Sequence, residues 1–283
     1  MFNQIKFNIM KILSSLFVTG LAIAALVSCQ KEDITLEDGM PVVEQETIVE
    51  ETLLELDVMA DEAVSLKLNE GKSAVTESDF YLSSCSVITI DNTSDPKVIT
   101  IDFGTGCTGK DGKLRSGKII ITATSFADAT SERMKTFEDF HVDGRKVEGV
   151  VNKTITIDRE DRSRVAEILE DITITFPGEG GTAHRVASLI REYRFYLPGV
   201  LLDNIVTSYG TVEFTRVNGL KVTKTISESD PLVFKASCHR IVSGVVTITT
   251  SDNRTWTVDY GDGRCDNLAT ITSGDQTRII RLR

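Results

Sequence analysis

Val98-Ile99-Thr100-Ile101-Asp102-Phe103 and Val245-Val246-Thr247-Ile248-Thr249 decide the fold. β-Branched residues dominate both runs and leave no three-to-four-residue spacing that would make one helical face. The same chemistry recurs at residues 87–90, 118–123, 154–157, 172–176 and 256–260, with Gly, Asp and Asn between the runs. Val142-Asp143-Gly144-Arg145 and Val217-Asn218-Gly219-Leu220 read as two-residue hairpin turns, because a type I′ turn needs positive φ at both central positions. About a dozen strands and no βαβ alternation predict an all-β domain over 72–283, a large antiparallel meander forming a sandwich or a rolled sheet. Residues 158–170 are the weak point, where Val165, Ile168 and Leu169 fit a short helix as well as an edge strand.

One amphipathic helix precedes this domain, predicted over 46–71. Val49, Leu53, Leu56, Ala60 and Ala63 fall on one stripe, with Glu50, Glu51, Glu55, Asp61 and Glu62 mostly outside it. Lys67 suits the last turn and Gly71 the stop. Such a stripe docks on a sheet or serves as a partner-binding face.

Two internal units share one plan. Cys85 precedes a strand, a turn, a second strand, Asp102-Phe103-Gly104-Thr105-Gly106 and Cys107, and Cys238 stands in the same relation to Asp259-Tyr260-Gly261-Asp262-Gly263 and Cys265. A hairpin with a cysteine at each end brings the two together at its base, which predicts the pairs Cys85–Cys107 and Cys238–Cys265.

The N-terminus carries an address. Lys6 and Lys11 supply a positive start and residues 12–27 an apolar run too short and too polar for a membrane span. Leu26-Val27-Ser28-Cys29 resembles the lipobox of bacterial lipoproteins, which implies a signal peptide over 1–28 and acylation, including palmitate, at Cys29. Two or more acyl chains give stable membrane attachment where one is marginal. Gln30-Lys31-Glu32-Asp33 resembles the lysine-plus-acid export signal of many Bacteroidetes surface lipoproteins, the simpler reading being an acidic tether over 29–45.

A wider resemblance covers most of 85–272. Ile101-Asp102-Phe103-Gly104-Thr105-Gly106-Cys107-Thr108-Gly109, Arg115-Ser116-Gly117-Lys118-Ile119-Ile120, Ile174-Thr175-Phe176-Pro177 and Asp259-Tyr260-Gly261-Asp262-Gly263-Arg264-Cys265-Asp266-Asn267 resemble a family of Bacteroidetes outer-membrane lipoproteins. The resemblance implies an all-β, lipid-anchored protein at the outer membrane and carries over neither an activity nor site residues. Ser273-Gly274-Asp275-Gln276 departs from the Asn-Gly turn of that pattern.

Charge is unevenly placed. Residues 31–79 hold 15 acids against three lysines, whereas 80–283 hold 27 acids against 26 bases. A nearly neutral β region offers no footprint for nucleic acid, and the acidic stretch reads as a self-repelling spacer.

Catalytic motifs are thin. Gly112-Lys113-Leu114-Arg115-Ser116-Gly117-Lys118 has phosphate-loop spacing, but Ile119 replaces the Mg²⁺-binding hydroxyl and a strand follows where a helix is needed. Asp259, Asp262 and Asp266 lack the pattern of a calcium loop and read as turn residues. His141, His184 and His239 lie far apart, and carboxylate pairs such as Glu138 with Asp139 or Asp91 with Asp95 have no fixed spacing. No catalytic residue, metal site or cofactor is assigned. Tyr193, Phe195 and Tyr196 form the one aromatic cluster, a candidate binding strip for a glycan, lipid or protein ligand. The leading expectation is a non-enzymatic, surface-exposed binding or structural domain. The alternatives are a lipid or glycolipid carrier with a curved apolar inner face, and a glycan-active hydrolase.

Overall fold

Among the described residues, fifteen antiparallel strands form one continuous sheet that rolls around one long buried helix. A computed structural model describes residues 36–68, 82, 84–126, 128–158, 160, 163–194 and 205–282. Cys29, the 30–33 tetrad, Gly71, Phe195 and Tyr196 lie outside the described residues.

The helix, α1 (Leu36–Leu68), starts ten residues before the predicted 46, so 36–45 is helix and not tether. The sheet opens with β1 (Val87–Asp91), β2 (Lys97–Asp102), β3 (Cys107–Thr108) and β4 (Leu114–Ala123). Five long strands follow: β5 (Thr130–Val142), β6 (Arg145–Asp158), β7 (Ser163–Thr175), β8 (Thr182–Arg194) and β9 (Ile205–Thr215). The chain ends with β10 (Lys221–Ile226), β11 (Leu232–Lys235), β12 (Arg240–Thr250), β13 (Thr255–Asp262), β14 (Leu268–Ser273) and β15 (Gln276–Arg281).

Pairing follows chain order with two doublings, the first being β2 and β3, which both pair with β4. β10 and β11 both lie between β9 and β12, one against each half of these strands. β7 corrects the reading of 158–170: from Ser163 on this segment is neither helix nor edge but the middle of the sheet, with β7 paired along its length with β6 and β8. Alternation explains the outcome, since Arg164, Ala166, Ile168, Glu170, Ile172 and Ile174 all point inward. The inward charges Arg164 and Glu170 hide that period in sequence.

The first turn reading holds, with positive φ at both Asp143 and Gly144. The second differs. At 217–220 only Gly219 is left-handed, the Arg216 N–H donates to the Leu220 carbonyl and Asn218 Oδ1 accepts the Leu220 N–H. Such a turn places one left-handed residue at the glycine and leaves Asn218 in ordinary space. Gly149 sits mid-strand at φ 118°, where a Cβ would lie 2.1 Å from the Asp171 carbonyl oxygen, so β6 bends there as only glycine permits.

The core is the space between α1 and the sheet. Val49, Leu53, Leu56, Ala60 and Ala63 are buried as predicted, against inward residues such as Ile99, Ile119, Val151, Ile168 and Val246. Trp256 packs so closely on Gly39 that a Cβ there would come within 2.3 Å of the indole nitrogen. Thr47 and Tyr260 share a hydrogen bond of 3.0 Å between their hydroxyls.

Candidate functional site

The acids of α1 face the sheet interior and not water. At 100° per residue, Glu46, Glu50, Asp57 and Asp61 lie within one 60° stripe, and Glu51, Glu55 and Glu62 within a second. All seven are buried, which corrects both the outward placement of these acids and the spacer role given to their charge. The sheet answers with inward cations. Glu50 accepts from Arg185 at 2.9 Å and Lys224 at 2.6 Å, and Lys224 reaches Glu46 at 3.1 Å. Asp57 holds Lys153 at 2.8 Å and contacts Lys135 and Arg191, while Asp61 contacts Arg164. Glu170, on the sheet itself, bridges Arg185 at 2.9 Å and Arg191 at 3.2 Å.

Burial alone would raise the carboxyls of Glu50 and Asp57, but the surrounding cations reverse this and hold both well below the usual range. Arg185 and Arg191 are held above theirs, since burial is outweighed by the same carboxylates. Glu51 differs. Burial pushes it up to about 7, only partly offset by the Ile241 N–H it accepts at 3.3 Å. The folded state therefore binds more protons than the unfolded one between the ordinary 4.5 and about 7, and stability falls as pH rises across that window. Glu51→Gln keeps the acceptor for Ile241. It is expected to raise the free energy of unfolding at pH 8 by an amount on the order of 2 kcal/mol and to leave it unchanged at pH 4. An equal effect at both pH values would contradict the assignment.

At one end of the core, ligand atoms of Glu55, Asp111 and His239 gather within 4.8 Å of one another. The chain's own cations already occupy the two carboxylates. Lys113 donates to both Glu55 oxygens at 2.6 and 2.7 Å, and Arg115 forks onto Asp111 at 2.9 and 2.5 Å. The segment with phosphate-loop spacing thus turns its lysine and arginine onto acids, and the cluster is an ionic latch between α1 and the β3–β4 turn.

Both predicted disulfides are present, Cys85 with Cys107 and Cys238 with Cys265. The twin units match in detail: Asp102 accepts the Gly104 N–H and Asp259 the Gly261 N–H, each at 2.8 Å, while Phe103 and Tyr260 are buried. Asp266 accepts the Leu268 N–H and Asp262 faces Arg264. Glu138 pairs with Lys118, and Asp91 closes a turn over Thr93 and Ser94. His141 contacts the Asp139 carbonyl and His184 pairs with Asp171.

Tyr193 does not belong to a binding strip. It shares the inward parity of Leu189 and Arg191, is 2 % exposed and lies under the Arg164 guanidinium, 3.8 Å from its ring centroid.

The candidate site is on the outer face, where sequence reasoning placed nothing. An open groove of about 600 Å³ crosses β4 to β8 and continues into a hollow of about 400 Å³ that reaches β9, the two sharing Asn152, Leu169 and Ser188. Register arranges it in three rows. The middle row runs Thr122, Met134, Asn152, Leu169, Ser188, Thr211. One flanking row runs Glu132, Thr154, Glu167, Ile190, and the other Val150, Asp171, Val186, Glu213. Met134, Leu169 and Val186 are exposed. The outward side chains of these rows include four carboxylates and no lysine or arginine. Arg133 and Lys153, which border the groove, turn inward to Asp61 and Asp57. The signal in sequence is the parity opposite to the core, T-E-M-T in β5 and V-E-L-D in β7. It becomes legible only once the inward face is known.

Inside the sheet, a cavity between α1, β4, β5 and β6 holds about 20 Å³, room for about one water and far too little for a lipid chain. Comparison with protein families, with curated proteins and with solved structures returns no match.

Proposed function

We propose that the chain is a lipid-anchored lipoprotein of the outer membrane, exposed at the cell surface, whose β domain is a non-enzymatic binding or structural module working through its outer face. The observation that carries this reading is the filled interior: α1 occupies the space a carrier would need for lipid, and that space is lined by charge. The carboxylates Glu50, Glu51 and Asp57, whose proton affinities are displaced, are sealed in the same space, so the hydrolase alternative draws no support from them. Two disulfides agree with an oxidising compartment. The lipobox ending at Cys29 and the Gln30-Lys31-Glu32-Asp33 tetrad supply the anchor and the address.

The test joins acyl labelling to protease treatment of intact cells. Labelled palmitate is expected on the wild-type chain and lost with Cys29→Ser, and added protease is expected to digest the domain without cell lysis. Absence of label removes the anchor. A domain that stays protected removes the surface reading.

A further inference from the structure

We infer that the outer-face groove binds an extended peptide segment of a partner protein in which lysine or arginine alternates with apolar residues. The inference deepens the binding-module reading and rests on it. Charge complementarity fixes the occupant. Glu132 and Glu167 stand on one side of the middle row and Asp171 and Glu213 on the other, with Met134 and Leu169 between them. No ion pair among the described residues engages Glu132, Glu167 or Glu213, whereas the carboxylates of the core are met by several cations each.

Dimensions agree with a peptide. The middle row spans six strands at about 4.8 Å, roughly 24 Å, the length of about seven extended residues. A lysine or arginine stem lying on Leu169 or Met134 would bring its charged head to the flanking carboxylates, as long cationic side chains do on apolar surfaces. An anionic lipid headgroup or nucleic acid meets four like charges here and is disfavoured.

The full chain, purified in detergent, is titrated by fluorescence anisotropy with an octapeptide of alternating lysine and leucine. Binding is expected, and replacing either the peptide's lysines with glutamate or its leucines with serine is expected to weaken it about tenfold or more. The triple variant Glu132→Gln, Glu167→Gln, Glu213→Gln is expected to weaken it by roughly tenfold, the sum of three exposed ion pairs. A control with the same change in net charge, Glu179→Gln, Glu228→Gln, Asp275→Asn, should leave the affinity unchanged. Equal losses in both triple variants would overturn the inference by reducing it to general attraction of an acidic protein, and equal binding of the glutamate peptide would overturn it by removing charge from the recognition. Weak binding by a domain that protease reaches on cells removes the partner class alone. A protected domain that binds the peptide removes the surface address alone.

Discussion

Replacing Asp57 with alanine is expected to lower the stability of the full chain by about 3–5 kcal/mol, read as a fall in the urea midpoint. Asp57 is 1 % exposed and is shared by Lys135, Lys153 and Arg191, all of them buried. Loss of the carboxylate leaves three cations in a small volume, with Glu170 still on Arg191 but only the more distant Glu170 and Asp61 facing Lys135 and Lys153. Repulsion between Lys135 and Lys153 adds to the cost of burial. Apolar replacement of the whole cluster, Asp57→Leu with Lys135→Leu, Lys153→Leu and Arg191→Met, is expected to recover much of the loss, because uncharged groups of similar volume need no partner. A loss below about 1 kcal/mol for Asp57→Ala would mean that water reaches these cations.

Acidification is expected to unfold the domain more steeply than its surface charge would suggest. Glu50 and Asp57 are held below their ordinary values in the folded state, so each contributes stability that is fully present above about pH 4 to 5 and is lost as pH falls toward the folded values. The combined loss between pH 5 and pH 2 is on the order of several kcal/mol, against a total of about 5–15 kcal/mol for a typical domain. Glu51 works in the opposite direction and over a higher window. Stability should therefore pass through a maximum near pH 4 to 5 and decline on both sides. Glu50→Gln should flatten the acid limb while lowering the plateau at neutral pH. An unchanged acid limb in that variant would show that other groups govern the transition.

Strands, turns and disulfides were legible because their signals are local. β-Branched runs, an Asp-Gly turn and a cysteine at each end of a hairpin act within a few residues of one another. The position of α1 was only half legible: the apolar stripe at Val49, Leu53 and Leu56 showed that one face is buried, but not that the others are too. In the sequence Glu50 and Asp61 read as solvent-facing, since the cations they meet, Lys224 and Arg164, lie 174 and 103 residues away. In β8 the two faces, His184-Val186-Ser188-Ile190 and Arg185-Ala187-Leu189-Arg191, carry similar mixtures of polar and apolar groups. Local pattern offers no basis for choosing between them, and the misplacement of Tyr193 follows. The groove is the complement of the same ambiguity, because its rows are whichever residues the core does not use.

The enclosure of α1 also governs when this protein can fold. The helix comes first in the described chain, yet it is covered by strands that come last: Glu51 meets the Ile241 N–H 190 residues on, and Thr47 meets Tyr260 at a separation of 213. A nascent chain that stops before β12 has an acidic, partly apolar helix and a set of inward cations with no enclosing wall. Folding must then wait for nearly the whole polypeptide, and its high contact order places it in the slow, millisecond-to-second class of non-local β proteins. Such a chain stays open and threadable for as long as its C-terminal strands are missing.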